Sequence, residues 1–302
     1  MRRALSAVDL MLLGAVLLWA LNITVTRYVL THGFAPLAYS STRYLAATLL
    51  FVGFTWRRER SFRVERADWK LVGIAASLIF ANQLRFVYAV DLTNASTVGL
   101  LLGTTPIFVG VVATMVGLER PGRGFWVAAA VSFAGVGLIA VSAGSGISGN
   151  LVGELLGIST ALTWGAYSVA VAPLMRRYSS FRTSALVLAC GSVPLALVGI
   201  PELVRRGLPP FGWQLSAAVV YAIVGPLFLT NILWFTAIAR VGPSRASLFA
   251  NLEPFFAVLF ALLLLAERLS RYEVAGGVAI TAGIMLDRFR RPRREAVVVP
   301  GD

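Results

Sequence analysis

Ionisable side chains stand inside long apolar stretches of this 302-residue chain. Arg27 lies about three residues from the end of the first stretch, where it can snorkel to the interface. Glu253 lies about eight residues into the stretch 245–266, and Arg43 and Arg85 lie in two earlier stretches. A charged group deep in an apolar segment is costly, so each is a candidate functional residue. A carboxyl group there can bind an amine or carry a proton, and the planar guanidinium fork of arginine suits a carboxylate.

Each of these residues also has a structural alternative. Arg43 sits about 10 Å below the predicted helix end, where it can act as an anchor or contact a substrate. Arg85 can pair with Asp91 or face a water-filled cavity. Glu253 can carry a proton for coupling, or brace the backbone where Pro254 removes a helix hydrogen bond.

Amide and aromatic side chains at helical spacing complete a candidate substrate site with Arg43 and Arg85. Mid-span amides need a partner, although such stripes are also typical of helix packing and aromatic belts. The neutral candidates are Asn22, Gln83, Trp164, Tyr167, Asn231 and Trp234.

The composition indicates which elements hold these residues. Hydrophobic residues make up 58% and charged residues 14% of the chain, against about 45–50% and 25% in soluble domains. We therefore expect a lipid bilayer around it. The formal net charge of +13 does not indicate nucleic acid, because the arginines flank apolar stretches. Stretches long enough to span a bilayer run near 8–30, 36–56, 69–90, 95–118, 124–143, 151–175, 183–201, 213–239, 245–266 and 272–289.

The basic residues between these stretches predict their direction. With a cytoplasmic N-terminus, the inner segments hold 20 arginines and lysines and the outer loops hold four. Inner loops carry the basic excess in most membrane proteins. The asymmetry predicts about ten spans with both termini cytoplasmic.

The two halves of the chain repeat each other at an offset of 148 residues. Five spans per repeat is an odd number, so the second copy must be inverted, which is typical of transporters. We expect repeats at 1–143 and 144–302, with Pro106 and Pro254 as coupling or gating candidates beside Glu253. The matched pairs are Pro106/Pro254, Glu119/Glu267, Arg120/Arg268, Arg123/Arg271 and Ser96/Ser244.

These motifs resemble the EamA-type repeats of the drug/metabolite transporter superfamily. The resemblance implies ten helices, cytoplasmic termini and a secondary carrier, often an exporter of amino acids or related metabolites. Arg43 fits the arginine of the family's second helix, and the family often has the Glu253–Pro254 pair. Arg85 departs from a usually apolar position. The segments that carry the resemblance are Trp19-Ala20-Leu21-Asn22, Arg43-Tyr44-Leu45-Ala46, Ala95-Ser96 with Pro106 and Glu119-Arg120, and Leu252-Glu253-Pro254 with Glu267-Arg268.

We therefore expect an all-α carrier that exports a small metabolite by alternating access. An amino acid or another zwitterionic or anionic carboxylate is favoured, with possible proton coupling. A passive facilitator or channel and a non-transporting membrane scaffold stay open, as does the oligomeric state.

No enzyme, cofactor or metal is expected. The chain lacks HExxH and GxSxG motifs and has one cysteine, Cys190, and one histidine, His32. The strong preference for arginine over lysine suggests a GC-rich bacterium, and hence its inner membrane.

The basic-residue asymmetry predicts that reporters fused after Met285 and at residue 302 are both active in the cytoplasm. A C-terminal reporter active only in the periplasm would overturn the ten-span topology.

Overall fold

The computed structural model describes residues 7–117, 123–143, 151–241, 249–250 and 252–290, and its regular elements are helices. A short 3-10 turn, Arg66–Asp68, precedes α3, and a π-helical segment, Val224–Leu229, joins α9 to α10. The α-helices are α1 (Ala7–Thr31), α2 (Pro36–Glu59), α3 (Trp69–Leu92), α4 (Ala95–Leu102), α5 (Thr105–Met115), α6 (Arg123–Ala143), α7 (Leu151–Arg177), α8 (Ser180–Arg206), α9 (Trp213–Ile223), α10 (Thr230–Val241), α11 (Glu253–Leu265) and α12 (Arg271–Arg290).

Within the described residues, six segments are long and apolar enough to cross a membrane by length and composition. They are α1, the turn with α3, α4 with α5, α7, α8, and α9 continuing towards α10. The helices α2, α6, α11 and α12 pack along them and complete a ten-helix membrane fold. Exposed leucine, valine and tryptophan side chains cover the outside, as expected for a surface that faces lipid.

The two five-helix repeats are inverted and pair through equivalent helices. Two helices pack against their own counterparts, α2 against α8 and α6 against α12, and α4 packs against α11, the counterpart of α5. The contact of α3 with α7 is mirrored by that of α1 with α10. We call the face at which α1 begins the near face and the face at which it ends the far face. The sequence predicts that the near face is cytoplasmic.

Polar contacts fasten α2 to α8 at both ends. At the near face, Glu59 accepts hydrogen bonds from Ser179 and from Arg182, whose Nε lies 3.0 Å from Oε2. At the far face, Glu202 accepts the backbone N–H groups of Leu37 at 2.8 Å and Ala38 at 3.1 Å. Each carboxylate lies close to the end of one repeat's helix and binds the start of its counterpart, where unpaired N–H groups favour an anion.

The fourth span is interrupted, which the continuous stretch 95–118 did not predict. The α4 helix ends at Leu102, and α5 begins at Thr105 with Pro106 in its first turn. The ninth span has the equivalent geometry, because α11 begins at Glu253 with Pro254 in its first turn. Proline fits this position since the first N–H groups of a helix have no intrahelical partner. The prolines at the 148-residue offset therefore both mark helix starts inside a span.

Close backbone approach holds α6 against α12. A Cβ atom added to Gly135 would lie 2.5 Å from the carbonyl oxygen of Gly276, whereas one added to Gly137 would meet no atom within 4 Å. Small residues at such crossings let helices in membranes approach closely. Gly135 is therefore required by this contact, and Gly137, on the same helix, is a matched control.

Gly135→Ala should destabilise the purified protein by about 1–3 kcal/mol, because the new methyl group overpacks the crossing. Gly137→Ala should be neutral or slightly stabilising, since alanine favours a helix over glycine. Thermal unfolding in detergent measures both variants. Equal melting of the two would contradict the close crossing.

Candidate substrate site

A buried arginine joins the first three spans. Arg43 is only 1% exposed, and its Nη1 donates to Asn22 Oδ1 at 3.0 Å and its Nη2 to Gln83 Oε1 at 2.7 Å. Three of the candidate residues therefore meet around one guanidinium. Asn22 and Gln83 lie nine residues from the far-face ends of their helices, about 13 Å below that face.

The charge of Arg43 is not neutralised by the side chains around it. No salt bridge joins it to a carboxylate among the described residues, and its Nε has no hydrogen-bond acceptor there. The guanidinium carbon lies 5.1 Å from the ring centre of Tyr39, 5.5 Å from that of Tyr44 and 5.8 Å from that of Phe86. Aromatic faces attract a cation but do not cancel its charge. An anionic group would therefore be favoured beside Nε.

A second amide links this cluster to the other repeat. Gln83 Nε2 donates to Asn82 Oδ1 at 2.9 Å, and Asn82 Nδ2 donates to the carbonyl oxygen of Thr160 at 2.9 Å and to Thr163 Oγ1 at 3.3 Å. Thr160 and Thr163 lie on α7. The orientation of the Gln83 oxygen that holds Arg43 is thus fixed by a contact between the repeats.

Aromatic rings from three helices pack together near the middle of the bundle. The ring centre of Trp19 lies 6.1 Å from that of Trp164 and 5.0 Å from that of Trp234, and Trp164 lies 5.4 Å from Tyr167. Trp19 precedes Asn22 by one helical turn, so the two share a face of α1. The rings therefore offer an apolar surface next to the Arg43 cluster.

Asn231 lies apart from the Arg43 cluster and forms a hydrogen bond within its own span. Its Nδ2 donates to the carbonyl oxygen of Leu227 in the π-helical segment. Thr230 Oγ1 donates to the carbonyl oxygen of Gly225 at 3.1 Å in the same segment. Pro226 lies there and brings no N–H to the helix. The two side chains supply hydrogen bonds where the helix widens.

Glu253 lies at the start of α11, about 18 Å along the helix from its far-face end. Its carboxyl group is half-buried and has no hydrogen bond or salt bridge within the described part of the chain. Pro254, the next residue, packs against the interruption of the fourth span, where a Cβ on Gly103 would lie 2.9 Å from Pro254 Cγ. The start of α11, which carries Glu253, therefore meets the end of α4.

Arg85 does not join these groups. Its Nη1 donates to the carbonyl oxygen of Ala81 in the same helix at 2.9 Å, and no salt bridge joins it to Asp91 in the described residues. Arg27 reaches that helix end instead, donating from Nη1 to the carbonyl oxygens of Val90 at 2.9 Å and Asp91 at 2.7 Å. The contacts favour Arg43 over Arg85 as the central cation.

Three residues outside the expected set belong to this region. Trp19 could have been included because it matches Trp164 at an offset of 145 residues. Asn82 shares a helix face with Arg85, but no pattern in the sequence indicates its contact with α7. Gly103 is spaced four residues from Gly99, which predicts a close helix approach, but only the structure reveals Pro254 against it.

An all-helical membrane fold of two inverted repeats, with helices interrupted near the middle, defines a secondary-transporter type of architecture. The sequence profile of the EamA-like transporter family matches residues 6–141 and again residues 151–287. The chain belongs to this family, whose members are transporters of small solutes.

Relatives agree with this assignment over most of the chain, and a solved structure shares the fold. An "Uncharacterized transporter" of Archaeoglobus fulgidus is 24% identical over 93% of this chain and 97% of its own length. The "Uncharacterized inner membrane transporter YedA" of Escherichia coli is 25% identical over 87% and 85%. A "Probable terminal-alkyne amino-acid exporter" of Streptantibioticus cattleyicolor is 29% identical over 68% and 69%. A solved crystal structure shares the fold, with a TM-score of 0.67 at 19% identity, covering 97% of this chain and 100% of that one.

Proposed function

We propose that this protein exports an amino acid or a related carboxylate-bearing metabolite by alternating access. It does so across the inner membrane of a bacterium, with the near face in the cytoplasm. Arg43 binds the carboxylate, Asn22 and Gln83 orient the guanidinium, and the rings of Trp19, Trp164 and Trp234 contact the apolar part of the substrate.

The observation that carries this proposal is the unneutralised charge of Arg43. A buried cation beside neutral oxygens is left with an incomplete set of partners, and a carboxylate completes it with charge-assisted hydrogen bonds. The buried Nε–H, which has no acceptor among the described residues, and the second N–H of each terminal nitrogen provide the donors. The amino-acid substrate named for the Streptantibioticus relative supports the same chemistry.

Glu253 is our proposed coupling residue. Its carboxyl group has no partner in the described residues, and it begins α11 beside Pro254, which packs against the interruption of the fourth span. A group in this position can take up a proton in one access state and release it in the other. Pro106 and Pro254 set the interruptions around which such a change turns.

Arg43→Gln should raise the KM for the transported amino acid about 10- to 100-fold, since hydrogen bonds to charged groups contribute about 1.5–3 kcal/mol. The measurement is a counterflow screen in proteoliposomes with labelled amino acids, organic acids and sugars. Arg85→Gln is the matched control, because it removes an equal charge that lies outside the cluster, and its KM should stay within about twofold.

Two results would count against this assignment. One is counterflow of sugars but of no carboxylate. The other is a larger loss with Arg85→Gln than with Arg43→Gln while both variants insert and purify normally. The second result would indicate that Arg85, also a candidate from the sequence, binds the carboxylate instead of Arg43.

Glu253→Gln should still exchange substrate for substrate but fail to concentrate it under an imposed pH gradient. Glutamine keeps the shape and hydrogen-bonding capacity of the side chain and removes its titration. The measurement compares counterflow with pH-driven accumulation in the same proteoliposomes. If a pH gradient does not affect transport by the wild-type protein, proton coupling is excluded. The protein would then be a facilitator or a carrier coupled to another ion.

A further inference from the structure

A polar pocket opens at the far face, away from the Arg43 cluster. It measures about 260 Å³ and lies where α1 ends, α4 begins and α11 ends. Its lining residues are Arg27, Thr31, Asn94, Leu265 and Glu267. A cation and an anion therefore line one small pocket.

The two charges do not neutralise each other. No salt bridge within 4.0 Å joins Arg27 to Glu267 among the described residues. The Nη1 atom of Arg27 is held by two backbone carbonyl oxygens on α3, and no described partner engages Nη2 or Nε. Arg27 is thus fixed in direction with donors to spare.

The opposite wall is equally well held. Glu267 accepts the backbone N–H of Ala95 at 2.8 Å, and the N–H and hydroxyl of Ser96 at 2.9 Å and 2.6 Å. Asn94 Oδ1 accepts the N–H of Thr97 at 2.7 Å, which leaves its Nδ2 without a partner in the described residues. A carboxylate that cannot swing across to Arg27 keeps the charges apart, and the space between them is open.

We infer that this pocket binds the zwitterionic head group of an α-amino acid, with the carboxylate on Arg27 and Asn94 and the ammonium group on Glu267. The inference rests on the proposed function. Arg27 follows Asn22 by five residues on α1, about 8 Å towards the far face. The pocket therefore lies on the far-face side of the Arg43 cluster, the side to which the proposed export carries the substrate.

Cysteine protection tests the pocket without requiring transport. In a Cys190→Ala background, Thr31→Cys places a thiol on the pocket wall, and a membrane-impermeant maleimide added from the far face reports its accessibility. L-leucine at about three times its Kd should slow labelling about fourfold by occupancy. Isoamylamine and 4-methylpentanoate, which each keep one of the two charges, should protect much less at the same concentration.

Leu208→Cys is the matched control, because it is exposed on the same face and does not line the pocket. L-leucine should leave its labelling unchanged. Adding Arg27→Gln should abolish protection of Thr31→Cys, whereas adding Arg43→Gln should leave it. The reverse pattern would show that protection reports a conformational change at the central site, and it would overturn the inference.

The outcomes separate this inference from the proposed function. Protection without amino-acid counterflow would support amino-acid binding in the pocket and overturn the proposed transport of amino acids. Counterflow without protection, or equal protection by the two single-charge analogues, would overturn the binding of a zwitterion in the pocket. The experiment is run in phosphatidylglycerol vesicles, and labelling that is slowed by adding phosphatidylethanolamine alone would assign the pocket to a lipid head group instead.

Discussion

A backbone group inside a bilayer has no water to bind. Every N–H or C=O group that loses its helical hydrogen bond at an interruption therefore needs another partner. The breaks in this protein occur where hydroxyl and amide side chains supply one. Thr104 and Thr105 donate to the carbonyl oxygens of Leu101 and Leu102, each at 2.7 Å, where the fourth span is interrupted. Asn231 does the same for the π-helical segment. The positions at which the helices can break, and around which the protein can move, are thereby limited to a few polar residues.

The two repeats share the same arrangement of helices, but they contribute different side chains to the candidate site. The α2 and α8 helices are counterparts that pack together, yet α2 carries Arg43 in its interior whereas α8 has arginines only near its ends, at Arg182, Arg205 and Arg206. The first repeat therefore contributes the cation and its amides. The second contributes the rings of Trp164 and Trp234. A substrate bound between them would meet a polar side and an apolar side, and its orientation would be set by that difference.

The sequence predicted the helices and their inverted arrangement because apolar length and basic flanks are local signals that a bilayer imposes directly. It also predicted Asn22, Arg43 and Gln83 as site residues, because polar groups inside a membrane span are energetically costly. It could not predict that Asn82, which holds Gln83, is itself held by α7 of the other repeat. It could not predict either that Arg85 bonds to its own helix. Both contacts depend on side-chain directions in the packed bundle. The cytoplasmic position of the termini and the role of Glu253 stay predictions. Glu119 and Ser244, two members of the pairs matched between the repeats, lie outside the described residues.

An arginine that anchors helices differs from one that can bind a substrate carboxylate in whether a carboxylate of the protein already neutralises its charge. Arg182 meets Glu59 at 2.8 Å, so a second carboxylate would compete with one already in place, and the pair can only fasten helices. Arg43 meets neutral oxygens and aromatic faces, which stabilise a cation enough for the protein to fold but leave its field uncancelled. Such a group attracts an anion more strongly than any paired arginine could, and it releases that anion without having to re-form an ion pair. Reversible binding of a carboxylate within the membrane requires both properties.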